Sequence, residues 1–360
     1  MECKSSIICF FIVFMAFAQN DSGDKIEKAK FILDSIVHQN SHVGISAAIM
    51  AKGKTVLAQG FGYKNIETKE VVDQNTVFRI YSISKPLTGL LAMKMVEEKK
   101  LNINAEIGRI LPSLPKHLHQ ITSKHLLAHI SGIRHYKDGW KEWDSISQFR
   151  CKTPLEALDV FVRDSLLLNP GEQVSYTSFG YVLLSAILEK VGKKPFTELM
   201  EEKIFVPSEA KRIQLDGPIE TYPENITSFY DIENGKIVKT RPVNNSCKFG
   251  GGGFNAPAHA IAKIWRAYMS KRTINEESYE YSKQQVKPKN GEMIYTSNLG
   301  IGTNTRNGRT SMLSNGAGPG GRSTVYMYPD DQVVVVLISN TLGDKVQKEA
   351  IQIARLFVNN

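Results

Sequence analysis

A serine and a lysine three residues apart can perform acyl transfer. Ser82 and Lys85 stand so in Phe78-Arg79-Ile80-Tyr81-Ser82-Ile83-Ser84-Lys85-Pro86-Leu87. A serine hydroxyl is a poor nucleophile until a base takes its proton. An ammonium cannot be that base, but a lysine desolvated at a helix start can lose its charge, because burial disfavours the charged form. The spacing occurs four times, at Ser22, Ser82, Ser113 and Ser208. Pro112 and Pro115 break up the third, and the fourth follows Pro207 without an apolar run behind it. Only Ser82 heads a long apolar pattern, through Leu87, Leu90, Leu91, Met93 and Met95. Pro86 suits a first helical turn, where its missing N–H is not needed. The expectation is an amphipathic helix that puts hydroxyl and amine on one face. The bland alternative is a capping serine with a solvated lysine.

Acyl transfer also needs a proton shuttle and an oxyanion hole. Tyr176-Thr177-Ser178 offers a phenol and a hydroxyl two residues apart, just before a helical pattern. Beside a lysine, Tyr176 could serve as base for Ser82 and then as acid for the leaving group. Otherwise it is an ordinary helix-entry tyrosine with Ser178 as cap. Tyr295-Thr296-Ser297 has the same spelling but precedes a strand. The stretch Ser314-Asn315-Gly316-Ala317-Gly318-Pro319-Gly320-Gly321 is either a glycine-rich loop or a strand edge whose N–H faces an oxyanion.

These residues need a frame. A helical stripe runs from Asp24 to His38, then Val43 to Ala51 and Thr55 to Gly62 form a hairpin around Lys52-Gly53-Lys54. Ser123 caps a short helix that Gly132 ends, a helix lies near Leu155 to Leu168, and Tyr181 to Val191 is a strong helix. Pro257 to Met269 is helical. Asn298 to Thr305, Ser323 to Tyr328 and Gln332 to Ser339 read as strands, and Val346 to Phe357 closes the chain as an amphipathic helix. Strands at both ends with helices between imply an α/β (α+β) fold whose ends share an antiparallel sheet. The expected α/β lobe spans about 24–80 and 250–360, and a mainly helical lobe of about 81–249 is inserted. The cleft between them is the default site.

Residues 1–18 read as a signal peptide: Lys4, then the apolar run Ile7 to Phe17, then Ala16-Phe17-Ala18 as a cleavage site. That run is too short to span a bilayer comfortably, and no later stretch is apolar enough. The expectation is an exported protein, periplasmic or secreted, with no transmembrane segment in the mature chain. Cys151 and Cys247 remain after the leader and are free to pair or not. No Cys/His cluster has metal spacing, so no metal or cofactor is expected. The net charge of +9 is scattered, which argues for a basic surface and against a nucleic-acid site. Gly250 to Gly253 lacks the strand–GxGxxG–helix setting of a nucleotide site.

Taken together, the chain resembles the serine β-lactamase and penicillin-binding protein superfamily, in its class C-like branch. The resemblance runs from about Ser46 to about Asn340. Its blocks are Thr76 to Lys85, Ile121 to Ile133, Tyr176 to Lys190, Gly250 to Phe254 and Tyr328 to Asn340. It implies a β-lactamase/transpeptidase-like fold and a cofactor-free serine hydrolase. Ser82 would be the acylated nucleophile, Lys85 the buried amine and Tyr176 the general base and acid. The N–H groups of Ser82 and Ala317 would form the oxyanion hole. Ser178 stands where the branch usually has asparagine. The third motif, Lys or His then Thr or Ser then Gly, is here Ser314-Asn315-Gly316, without the cation. Arg322, just downstream, could supply that charge to a substrate carboxylate.

The implied partner is a small-molecule or peptide substrate of cell-wall type, cleaved at an amide, β-lactam or peptide bond. The rival readings are a carboxylesterase on the same site and a penicillin-binding module that acylates slowly or not at all.

Overall fold

The computed structural model describes residues 23–38, 42–291 and 296–358. The expected leader and Tyr295 lie outside the described residues. The strands are β1 (Gly44–Ala51), β2 (Lys54–Asn65), β3 (Glu70–Val71), β4 (Phe78–Arg79), β5 (Gln214–Leu215), β6 (Tyr230–Glu233), β7 (Lys236–Lys239), β8 (Phe254–Ala256), β9 (Gly302–Arg306), β10 (Arg309–Gly318), β11 (Gly321–Tyr328), β12 (Val333–Ser339) and β13 (Thr341–Leu342). The helices are α1 (23–38), α2 (Ser84–Glu97), α3 (Ser123–Leu127), α4 (Trp140–Ile146), α5 (Phe179–Gly192), α6 (Phe196–Met200), α7 (Ala258–Met269), α8 (Glu276–Lys283) and α9 (Gln347–Leu356).

The main sheet has the order β3-β2-β1-β12-β11-β10-β9. Its antiparallel partners join the two ends of the chain, with Ala48 opposite Val336 and Val325 opposite Val336 on the other side. The central strand β12 reads Val-Val-Val-Val-Leu-Ile-Ser and is buried throughout. Side chains alternate across a strand, so one unbroken apolar run serves two cores. Val334, Val336 and Ile338 face the core shared with α2, α5 and α7. Val333, Val335 and Leu337 face the core built with α1 and α9, through Leu33, Ile36, Ile353 and Ala354. Two small three-stranded sheets, β13-β6-β7 and β4-β8-β5, flank this frame.

Several local readings change. The helix behind Ser82 is not amphipathic: from Ser84 to Met93 every residue of α2 is buried. Its polar members, Ser84, Lys85 and Thr88, all find hydrogen-bond partners inside, so a helix packed on all sides carries no wet face. Thr122, not Ser123, caps α3, forming a reciprocal box with His125. The helix expected near Leu155 to Leu168 contracts to a 3₁₀ turn at Glu156–Val160. The strand read at Asn298 to Thr305 starts later, at Gly302. The Ser314 stretch is not a loop. Through Gly318 it belongs to β10, paired residue by residue with β11. Cys151 and Cys247 form a disulfide.

Candidate active site

Ser82 sits in a single 3₁₀ turn, Tyr81–Ile83, that runs directly into α2. One turn on, the Lys85 Nζ points back and donates to Ser82 Oγ at 2.9 Å. The same amine contacts Ser178 Oγ at 3.0 Å and the Gly251 carbonyl at 2.6 Å. Ser178 is thus more than a cap: it precedes α5 but makes no side-chain capping bond there. The glycine run supplies a carbonyl acceptor, not a phosphate cradle.

Tyr176 completes the group. Its hydroxyl donates to Ser82 Oγ at 2.8 Å. The residue is 44% exposed, because its ring forms part of the cavity mouth while the hydroxyl points inward. His129 packs against that ring with centroids 4.5 Å apart, and its Nδ1 accepts from the Thr177 N–H at 3.2 Å. This buried imidazole therefore orients the tyrosine segment.

Lys85 is 2% exposed. Burial pulls its pKa below the ordinary lysine value, and the neighbouring Tyr176 only partly opposes that. Burial pushes the Tyr176 phenol up, but the Lys85 charge and the surrounding hydrogen bonds pull harder, so its pKa is lowered. Both groups lie within hydrogen-bond reach of the Ser82 hydroxyl. Two histidines nearby are neutral at pH 7. Burial, then the Lys85 charge, lowers His129 to about 3 and His135 to about 4.

The opposite wall comes from the main sheet. Asn315, Gly316 and Ala317 of β10 line a cavity of about 430 Å³ that opens over Ser82. Gly316 is required by close approach: a Cβ there would lie 2.5 Å from the Ile80 carbonyl oxygen and 3.0 Å from the Ser82 nitrogen. The cavity wall begins at Asn315. Ser314, half-buried, pairs with Val325. Asn315 donates to Gln347 Oε1 at 2.7 Å and accepts from Thr324 Oγ1 at 2.8 Å. Arg322 stands opposite Ala317 in the ladder, lines the cavity and donates from Nε to the Gly343 carbonyl at 3.0 Å.

The structure adds residues that the sequence did not single out. His135, Tyr136, Gly139 and Trp143 form a mainly aromatic wall, and Lys345 with Val346 closes the far side. The aromatic wall lies in a stretch without helical or strand periodicity. The signal was available in Trp143, a large aromatic in the polar run Lys137 to Asp144, where an apolar ring gains from burial. Among the described residues, no group of His, Cys, Asp or Glu could hold a metal ion.

A family model described as Beta-lactamase matches residues 31–358. The chain is 25% identical over 341 residues to the serine beta-lactamase-like protein LACTB, mitochondrial, of Mus musculus, covering 75% of this chain and 60% of that protein. The match with the human counterpart covers 56% of that protein. The chain thus spans little more than half the length of these mammalian relatives. It is 26% identical over 323 residues to penicillin-binding protein 4* of Bacillus subtilis (strain 168), covering 84% and 69%. Among solved structures, the octameric penicillin-binding protein homologue from Pyrococcus abyssi superposes with a TM-score of 0.78 at 23% identity, covering 91% of this chain and 76% of that one. D-amino acid amidase from Ochrobactrum anthropi SV3 gives 0.79 at 22% identity, covering 92% and 98%. At these identities the structural matches establish the fold.

Proposed function

This chain belongs to the beta-lactamase family, and we propose that it is a serine hydrolase working through an acyl-enzyme on Ser82. The observation that carries the reading is that an amine and a phenol, Lys85 and Tyr176, both reach the same hydroxyl, at 2.9 and 2.8 Å, beneath an open cavity. Ser82 Oγ attacks a carbonyl carbon as its proton passes to the Lys85–Tyr176 pair. The carbonyl oxygen takes the negative charge and is held by the N–H groups of Ser82 and Ala317. As the tetrahedral adduct collapses, Tyr176 protonates the departing amine or alcohol. Water then attacks the ester, the pair takes its proton, and Ser82 is regenerated with release of the acid.

The preferred substrate is a small amide or peptide. The fold is shared with an amidase, and Arg322 and Lys345 give the cavity two cations fit to meet a substrate carboxylate. Arg322 pairs with Ala317 on the strand whose third motif has no cation at Ser314. The leader-like residues 1–18 support export. The second reading, a penicillin-binding module that acylates and stops, is favoured by that same departure at Ser314 and by Ser178.

Intact-mass time courses with a chromogenic cephalosporin and a small activated ester test the proposal, with Ser82→Ala alongside. The expected result is product or adduct that depends on Ser82. A lasting adduct without product supports the second reading. Product formation that survives Ser82→Ala defeats both.

A further inference from the structure

Tyr81, immediately before the nucleophile, holds a left-handed backbone at φ 48°. A bulky residue is strained in that conformation and keeps it only where its surroundings over-determine it. Here the surroundings are the hairpin of β10 and β11. The Tyr81 ring is 1% exposed and lies where Gly318 and Gly321 have no side chains. A Cβ on Gly318 would overlap the ring, and one on Gly321 would come within 3.0 Å of it. The phenol donates to the carbonyl of Pro319, in the turn of the same hairpin. On the other side of Tyr81, Ser323 Oγ donates to the Ile80 carbonyl at 2.7 Å. The segment that leads into Ser82 is therefore tied to the hairpin at two successive residues, Ile80 and Tyr81.

We propose that Tyr81 is a positioning residue that sets the separation between the Ser82 and Ala317 N–H groups. One of these donors belongs to the turn that Tyr81 begins. The other lies on β10, one residue before Gly318. The ring is a spacer between the two segments, and its hydroxyl fixes the hairpin turn in register. A filler of the core would need neither the left-handed backbone nor the bond to Pro319. Trp143, on the cavity wall, packs edge-on against the ring at 6.0 Å, so the spacer also buttresses that wall.

This inference rests on the acyl-enzyme reading, and the test separates the two. Tyr81→Phe keeps the ring and deletes the tie. The expected result is a kcat for the activated ester lower by about tenfold with KM little changed, since an oxyanion donor displaced by a fraction of an ångström loses part of its effect. Affinity for a boronic acid that forms a tetrahedral adduct on Ser82 falls by a similar factor. Gly318→Ala, which pushes the spacer from the hairpin side, also lowers kcat, and Tyr81→Ala, which vacates the space, reduces the cost of that substitution. A Tyr81→Phe protein with unchanged kcat and boronate affinity overturns the proposal. So does one that loses only melting temperature. A wild-type protein that never acylates on Ser82 removes the function itself, and this inference with it.

Discussion

Two buried lysines pack on aromatic rings around the cavity, Lys85 on Tyr176 and Lys248 on Tyr136 and Trp143, and they differ in almost everything but burial. Lys85 is 2% exposed and Lys248 is 3% exposed. Burial drives both amines below the ordinary lysine range. Lys85 touches two hydroxyls and a carbonyl. Lys248 Nζ has no hydrogen-bond partner among the described residues and instead sits over the Trp143 ring, 2.7 Å from its centroid. Desolvation disfavours the charge on both amines, but only the neighbours decide what that shift can serve. Lys85 has a serine hydroxyl and a phenol beside it. Lys248 has aromatic rings.

Removing each amine in turn tests this contrast most directly. Lys85→Met is expected to lower kcat/KM by between about 10²- and 10⁴-fold, the usual worth of a general acid–base group. Lys248→Met should leave kcat/KM close to wild type. Equal losses in the two variants would show that hydrogen bonding does not distinguish them.

The cations of the cavity wall give a smaller effect. Arg322→Gln should raise KM about tenfold or more for an amide substrate bearing a carboxylate, the scale of one charged hydrogen bond. A neutral ester should be hydrolysed as before. Equal KM values for both substrates in the variant would remove Arg322 from recognition.

Stability supplies the next test. A lysine whose folded pKa lies below its unfolded value binds fewer protons when folded, so its penalty is full at low pH and fades as pH rises toward the unfolded value. Lys248→Met should therefore raise the melting temperature most at or below neutral pH, with the gain shrinking toward the ordinary lysine range. A gain independent of pH would mean the methionine merely packs better.

The histidines give the smallest effect, in the acid direction. His135 titrates at about 4 and His129 at about 3 in the fold, against an ordinary histidine value of 6.5. The unfolded chain takes up protons first, so stability falls as pH drops from about 6.5 to those values. His135→Gln should flatten the upper part of that decline in a series of melting curves. An unchanged curve would show that His135 is not held neutral.

One wall of the site was legible in the chain alone. The spacing of Ser82 and Lys85 needs only one helical turn to bring them together, so local geometry sufficed. The uniform valines of β12 and the stripes of α1 and α9 likewise carry their burial in their periodicity. Tyr176 was named from its neighbours and from family resemblance, not from spacing. The rest waited on packing. Lys85 meets Gly251, 166 residues away in sequence, only because α2 packs beside the glycine run. Asn315, Gly316 and Ala317 reach Ser82 because β10 pairs with β11 instead of forming the loop its glycines suggest. Tyr136, Trp143 and Lys345 enter the cavity from segments with no shared pattern. No periodicity records such meetings, since they depend on loop closure and on which surfaces bury each other.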